Sequence, residues 1–303
     1  MKKAVYWTEE RRAYLLLVLP ALVIYWAVIA APTVFSLVLS ATNYNGGPLF
    51  SASRPFDFIG FGNYTRMIQD KFFWISLKNN MYIVLISVFG QIPLGFMFAY
   101  VLHRKLVKFD DFFQTIVYLP SIISTIVVGR LWQLFFSAYG PFTEFMQRFD
   151  PTWQNKLLID PKIAIIPVLF VILWMYTGTY LIIFLANLQK IDPALIEAAR
   201  IDGATEWQVL IKIILPALSG VIVTSSILAI SGSLRSFGLL FALTGGNPAR
   251  RTSVLALYMY DTAFLHSPRY GMANAISVVM VVLSLILIII VNTIEKKFGG
   301  SED

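Results

Sequence analysis

The chain contains no cysteine, which rules out a disulfide framework, a thiolate metal site and a cysteine nucleophile, and leaves its loops to hold by packing alone. Charge is scarce too: Asp, Glu, Lys and Arg make up 14% of the 303 residues, against roughly 25% in an ordinary soluble domain. Histidine is limited to His103 and His266, both in predicted loops, and no apolar stretch carries paired carboxylates or a metal-ligand cluster. These absences argue against catalysis, a resident cofactor and a metal. No GxxxxGK[ST] phosphate loop occurs, so the chain has no means of its own to bind ATP by that motif. What it has in abundance is apolar side chains, 57% of residues with a mean hydropathy of +0.71.

A hydrocarbon core about 30 Å thick needs roughly 20 apolar residues per helix. Six stretches meet that length: Ala13 to Leu39, Met81 to Leu102, Phe112 to Phe136, Ile163 to Leu188, Pro216 to Leu240 and Met272 to Ile294. The predicted fold is therefore an all-α integral membrane protein of about six transmembrane helices. A signal peptide has an apolar core of roughly 7 to 15 residues, and the first run here is longer, so it reads as an uncleaved anchor. The domain reading is a cytoplasmic segment over 1–12, a transmembrane domain over 13–295 and a cytoplasmic tail over 296–303.

An even number of spans puts both termini on one side. Lys2, Lys3, Arg11 and Arg12 before the first span, Lys296 and Lys297 after the last, and Arg104, Lys105 and Lys108 packed into one short loop predict that this side is the cytoplasm, N-in and C-in. A plain count of Lys and Arg is nearly even between the sides, but the outer loops are the long ones and weigh little in setting orientation. The net charge of +7 is spread along the span flanks and forms no basic patch interleaved with aromatics. That pattern fits anionic lipid headgroups and argues against nucleic acid.

The inner loop between the fourth and fifth spans, 191–216, reads as helix, turn, helix. Asp192 caps a helix opened by Pro193, Gly203 supplies the left-handed residue that ends it, and Thr205 with Gln208 forms a capping box for the next. Leu195, Ile196, Ala198, Ala199 and Ile201 give this loop small and apolar side chains suited to a protein partner or to lipid.

Within it, Glu197-Ala198-Ala199-x-x-Asp202-Gly203-Ala204 followed by Ile213-x-Leu215-Pro216 resembles the EAA loop of ABC importer permeases. The resemblance extends over nearly the whole chain and points to the carbohydrate-uptake branch, similar to the first permease subunit of the maltose transporter. Phe61-Gly62-Asn63-Tyr64, Tyr118-Leu119-Pro120, Leu131-Trp132 and Leu243-Thr244-Gly245-Gly246-Asn247-Pro248 follow in the matching order. Gly220 stands where many relatives have a second proline, and the outer loops are too short for a large inserted domain, which leaves the substrate open. The resemblance implies a multi-pass protein of a prokaryotic inner membrane working with a homologous second permease, a cytoplasmic ABC ATPase dimer that binds ATP and Mg, an extracellular solute-binding protein and a carbohydrate. It implies ATPase coupling through Glu197, Ala198, Ala199, Asp202, Gly203, Ala204, Leu215 and Pro216, with Glu197 pairing with a basic residue of the ATPase.

For a sugar path near the midplane, Tyr176 and Thr179 lie three apart in the fourth span, and Ser233 and Ser236 repeat the spacing in the fifth. These four are the predicted substrate contacts. At positions aligned with the related maltose permease the chain has Ile172, Met175, Ala229 and Gly232, a face poorer in hydrogen-bonding groups, which leaves open whether the pocket lies in this subunit or whether the partner subunit contributes most of the binding. Serine and threonine in membrane helices also bond their own backbone. Arg130 and Arg235 lie toward the outer ends of spans, where snorkelling or pairing with a group such as Glu144 is expected; a position facing a cavity would point to an anionic substrate. Asp57, Asp70, Arg54 and Lys71 on the outer side read as solvated loop or as contacts for the binding protein. Alternative functions are import of a glycerol-phosphate-like or polyol substrate, a membrane-embedded enzyme, or a passive channel.

Overall fold

The computed structural model describes residues 9–47, 57–265 and 267–298, and its regular elements are helices, with one isolated bridge between Thr42 and Phe58. They are α1 (Glu9–Tyr25), α2 (Ala31–Ser40), α3 (Gly62–Gln69), α4 (Lys71–Ile86), α5 (Ile92–His103), α6 (Asp110–Ile122), α7 (Thr125–Phe135), α8 (Pro141–Gln147), α9 (Ile165–Leu188), α10 (Pro193–Ile201), α11 (Glu206–Val209), α12 (Leu215–Ala217), α13 (Ser219–Leu234), α14 (Gly238–Leu243), α15 (Leu255–Phe264) and α16 (Tyr270–Phe298). Arg54 and His266 lie outside the described residues.

Four helical runs are long and apolar enough to cross a membrane: Tyr14–Ser40, Lys71–His103, Ile165–Leu188 and Tyr270–Glu295. Two bent pairs bring the number to six when each is one span, with bends of 99° between α6 and α7 and 64° before α13. The third expected span, Phe112 to Phe136, is therefore not one rod. Pro120 has no N–H for the helix ladder, and Ile123 and Ser124 are extended, so the chain turns there. The fifth span is also shorter than expected, closing at Leu234, with Leu240 in the separate α14. His103 is the last residue of α5 and not a loop residue.

Three single turns of π-helix, Trp26–Ala30, Ser87–Gln91 and Leu210–Ile214, each end two residues before a proline, Pro32, Pro93 and Pro216. A proline ring clashes with the carbonyl four residues back and offers no N–H. In each case the residue just before the proline donates instead to the carbonyl five back: Ala31 to Trp26, Ile92 to Ser87 and Leu215 to Leu210. The wider turn lets the helix continue past the ring.

The described residues form two compact units. In the first, 1–67 with 262–279, the side chain of Asn63 donates to the carbonyls of Ser40 and Thr42, and Ser36 donates to Asn274. Gly271 donates to the Tyr44 carbonyl, and a β-carbon on it would overlap the carbonyl of Thr42. In the second, 68–261 with 280–303, α9 is the central helix. Val168, Val171, Leu181, Phe184 and Leu188 on it are fully buried against α4, α5, α6 and α13. Glycines allow the closest crossings: a β-carbon at Gly95 would lie 2.5 Å from the Tyr180 side chain, and one at Gly178 would overlap the Val117 backbone.

Candidate functional site

Within the second unit a cavity of about 460 Å³ opens between the π turn 87–91, α9, the end of α13 and the starts of α7 and α14. All four predicted contacts, Tyr176, Thr179, Ser233 and Ser236, line it. They are not equivalent. Ser233 donates to the Ala229 carbonyl at 2.7 Å and faces the Ser87 hydroxyl at 3.2 Å, so its hydrogen bonds are used within the protein. The hydroxyls of Tyr176, Thr179 and Ser236 make no hydrogen bond among the described residues, and Thr125 at the start of α7 adds a fourth. Ser236 lies beyond the end of α13, in the bend that leads to α14, so the two serines do not share a helical face as the spacing predicted. Ile172, Ala229 and Gly232 form apolar wall, whereas Met175 is packed into the core.

Sequence reasoning passed over three buried polar residues, two of which, Gln91 and Asn80, bond the backbone of residues that line this cavity. Gln91 donates to the Ile172 carbonyl at 2.8 Å across to α9. Asn80, with no exposed surface, donates to the Ser233 carbonyl at 2.9 Å and accepts from the Leu255 N–H at 2.8 Å, pinning the C-terminal end of α13 to the start of α15. Asn79 beside it donates to the carbonyls of Arg251 and Ser253. The available signal was Asn-Asn and Gln inside an apolar stretch, where an amide must find a partner or cost stability.

The loop 191–216 has the predicted caps. Asp192 accepts from the Ala194 N–H, Gly203 has φ +84°, and Thr205 and Gln208 bond reciprocally. The Gly203 N–H bonds the Arg200 carbonyl and the Ala204 N–H bonds that of Ala199, the two bonds of a Schellman ending. Ile196, Ala199 and Ala204 pack on the core formed with α9, while Leu195, Ala198, Ile201 and Trp207 are exposed, Ile201 at 86%. Glu197, Asp202 and Pro216 are exposed and Leu215 is half-buried. Glu197 lines a cleft with Arg104, Lys105 and Arg200 but forms no ion pair among the described residues. Glu206 takes both arginines, at 2.9 Å from Arg104 and 3.1 Å from Arg200, tying the α10 end to the short loop after α5.

The architecture and the sequence have relatives. Residues 91–300 match the family model described as binding-protein-dependent transport system inner membrane component. The multiple sugar-binding transport system permease protein MsmF of Streptococcus mutans is 32% identical over 86% of this chain and 87% of its own length. The lactose transport system permease protein LacF of Rhizobium radiobacter is 30% identical over 90% of each. The chain belongs to this permease family. Among solved structures, the permease fold is shared with a chain of a bacterial alginate ABC transporter complexed with its alginate-bound periplasmic protein, at a TM-score of 0.82 and 22% identity over 98% of this chain and 99% of that one.

In the permease the remaining charged candidates have local duties. Asp70 caps α4 through the Phe72 N–H and accepts from the Tyr258 hydroxyl at 2.7 Å. Asp57 and Asn43 share three hydrogen bonds, and Lys71 sits 5.1 Å from the Phe72 ring. In the segment between α8 and α9, the side-chain and backbone hydrogen bonds from Thr152 hold the Asp150 carboxyl below its ordinary range. Arg130 is exposed and donates to Gln133 at 2.7 Å, so the anticipated pairing with Glu144 is not made. Arg235, in contrast, lines the cavity.

Proposed function

We propose that the permease forms one half of the pathway of an ATP-driven carbohydrate importer and takes its substrate in the cavity beside α9. The observation that carries this reading is the set of unbonded hydroxyls of Tyr176, Thr179, Ser236 and Thr125 facing one apolar-walled space. A sugar offers hydroxyls that both donate and accept, and C–H faces that pack on apolar walls, so this lining suits it. Relatives named for multiple sugars and lactose support the same substrate class. A glycerol-phosphate-like or polyol substrate is the second reading; the arginine in the lining suits the phosphate of the former and gives no preference for the latter.

In this reading both termini and the loop 191–216 are cytoplasmic, and the loop seats in a cleft of a separate ATPase that binds ATP and Mg. Support comes from its exposed apolar face of Leu195, Ala198, Ile201 and Trp207, a surface that suits a protein groove. Glu197 meets a basic group there, while Ala198, Ala199, Asp202, Gly203 and Ala204 give the turn its shape, and Leu215 and Pro216 pass motion to α13. Closure of the ATPase pair opens the cavity toward an extracellular solute-binding protein, and hydrolysis returns it inward, alternating access to one site. A second permease completes the pathway. The test is ATP-dependent sugar uptake by the complete transporter in proteoliposomes. Thr179→Val with Ser236→Ala is expected to reduce uptake at least tenfold while ATPase association is retained. Unchanged uptake would remove this cavity from the path.

A further inference from the structure

Among the described residues that line the cavity Arg235 carries the one formal charge, and none is Asp or Glu. The Arg235 Nε donates to the Ser231 carbonyl at 3.3 Å, which fixes the side chain at the end of α13. Its remaining guanidinium nitrogens have no partner among the described residues, whose two ion pairs both belong to Glu206. Arg235 is exposed, so water meets its free nitrogens while the cavity is empty, and an anionic ligand entering beside Phe237 and Ser236 would replace that water. Snorkelling accounts for the exposure of the side chain, but not for its place in one lining with the four unbonded hydroxyls of Tyr176, Thr179, Ser236 and Thr125. Guanidinium presents a planar fork that matches a carboxylate or phosphate, and such bonds are stronger than those to a neutral hydroxyl.

We propose that Arg235 binds an anionic group of the transported carbohydrate, so that the permease carries acidic sugars. This rests on the import reading above and narrows it. The hydroxyls of Tyr176, Thr179 and Ser236 then hold the sugar ring while Arg235 takes its charged substituent, a carboxylate of a uronate or a phosphate ester. No step of covalent chemistry is involved; the pair forms on entry and breaks on release.

The experiment uses the complete transporter, with partner subunits and binding protein, in proteoliposomes supplied with a panel of neutral oligosaccharides, uronate-containing oligosaccharides and hexose phosphates. The expected result is ATP-dependent uptake confined to charged members, with the uronate and phosphate arms showing which anion is read. Arg235→Gln should lower that uptake about tenfold or more, the scale of one hydrogen bond to a charged group, and Arg235→Lys should restore part of it. Uptake of a neutral sugar that is equal in wild type and Arg235→Gln overturns the proposal and leaves the import reading standing. No uptake of any member by a complex with active ATPase overturns the import reading itself. Loss of the second permease from the purified Arg235→Gln complex makes Arg235 an interface residue and also overturns the proposal.

Discussion

At the scale of single residues, backbone conformation and buried amides make the sharpest claims. Gly203 is left-handed and open to solvent, and a β-carbon placed on it would meet nothing within 4 Å, so its substitution acts through backbone strain and not through a clash. Gly203→Val should cost roughly 1–2 kcal/mol locally and distort the turn between α10 and α11. Membrane insertion should stay normal while ATPase recovery and uptake fall; unchanged recovery of the ATPase would separate this turn from coupling. Asn80→Leu strands the Leu255 N–H, at a cost of about 1–3 kcal/mol, while the Ser233 carbonyl keeps the Ser236 N–H at 3.3 Å. Thermal unfolding of the purified protein should show that loss, and no shift in Tm would remove Asn80 from its bracing role. That Tyr176 and Thr179 fall on one wall was readable because helical spacing is a local property. Asn80 was not, since its partners lie 153 and 175 residues away, and a single sequence carries no record of which distant carbonyl an amide will find.

At the scale of elements, the prolines explain what hydropathy misses. A window of apolar residues measures how much oily chain is present but not whether it is straight, so α6 and α7 read as one span although they meet at 99°. The helix caps around 191–216 were legible because capping is decided within four residues of sequence. Pro93→Ala should let the π turn 87–91 relax toward a regular helix, rotating Ser87 and Gln91 out of the cavity wall. Stability should hold or rise while uptake falls; a loss of both would mean that the turn braces the fold as a whole. Glu206→Gln releases Arg104 and Arg200 together. Because the pair is exposed it adds little to stability, and the expected effect is on ATPase-driven uptake with Tm unchanged, measured on the same preparation.

At the scale of the whole molecule, composition already indicated a membrane protein, and the number of spans depends on counting bent pairs as crossings. Tyr14–Ser40 has none of its apolar window buried within the chain, so lipid or another subunit must cover it. The absence of cysteine makes topology directly testable, because single cysteines can be introduced without background. Thr205→Cys should react with a membrane-impermeant thiol reagent only from the cytoplasmic side and Ala138→Cys only from the outside; the reverse pattern would exclude docking of 191–216 to a cytoplasmic ATPase. The central claim is that this loop couples a sugar-carrying permease to a separate motor. It is tested most directly by purifying the tagged chain from native membranes, as wild type and as Glu197→Ala with Gly203→Val, and identifying what travels with it by mass spectrometry. The account predicts a second permease with both forms and an ATPase with the wild type alone; an ATPase recovered equally with both, or a chain that comes out alone, would contradict it.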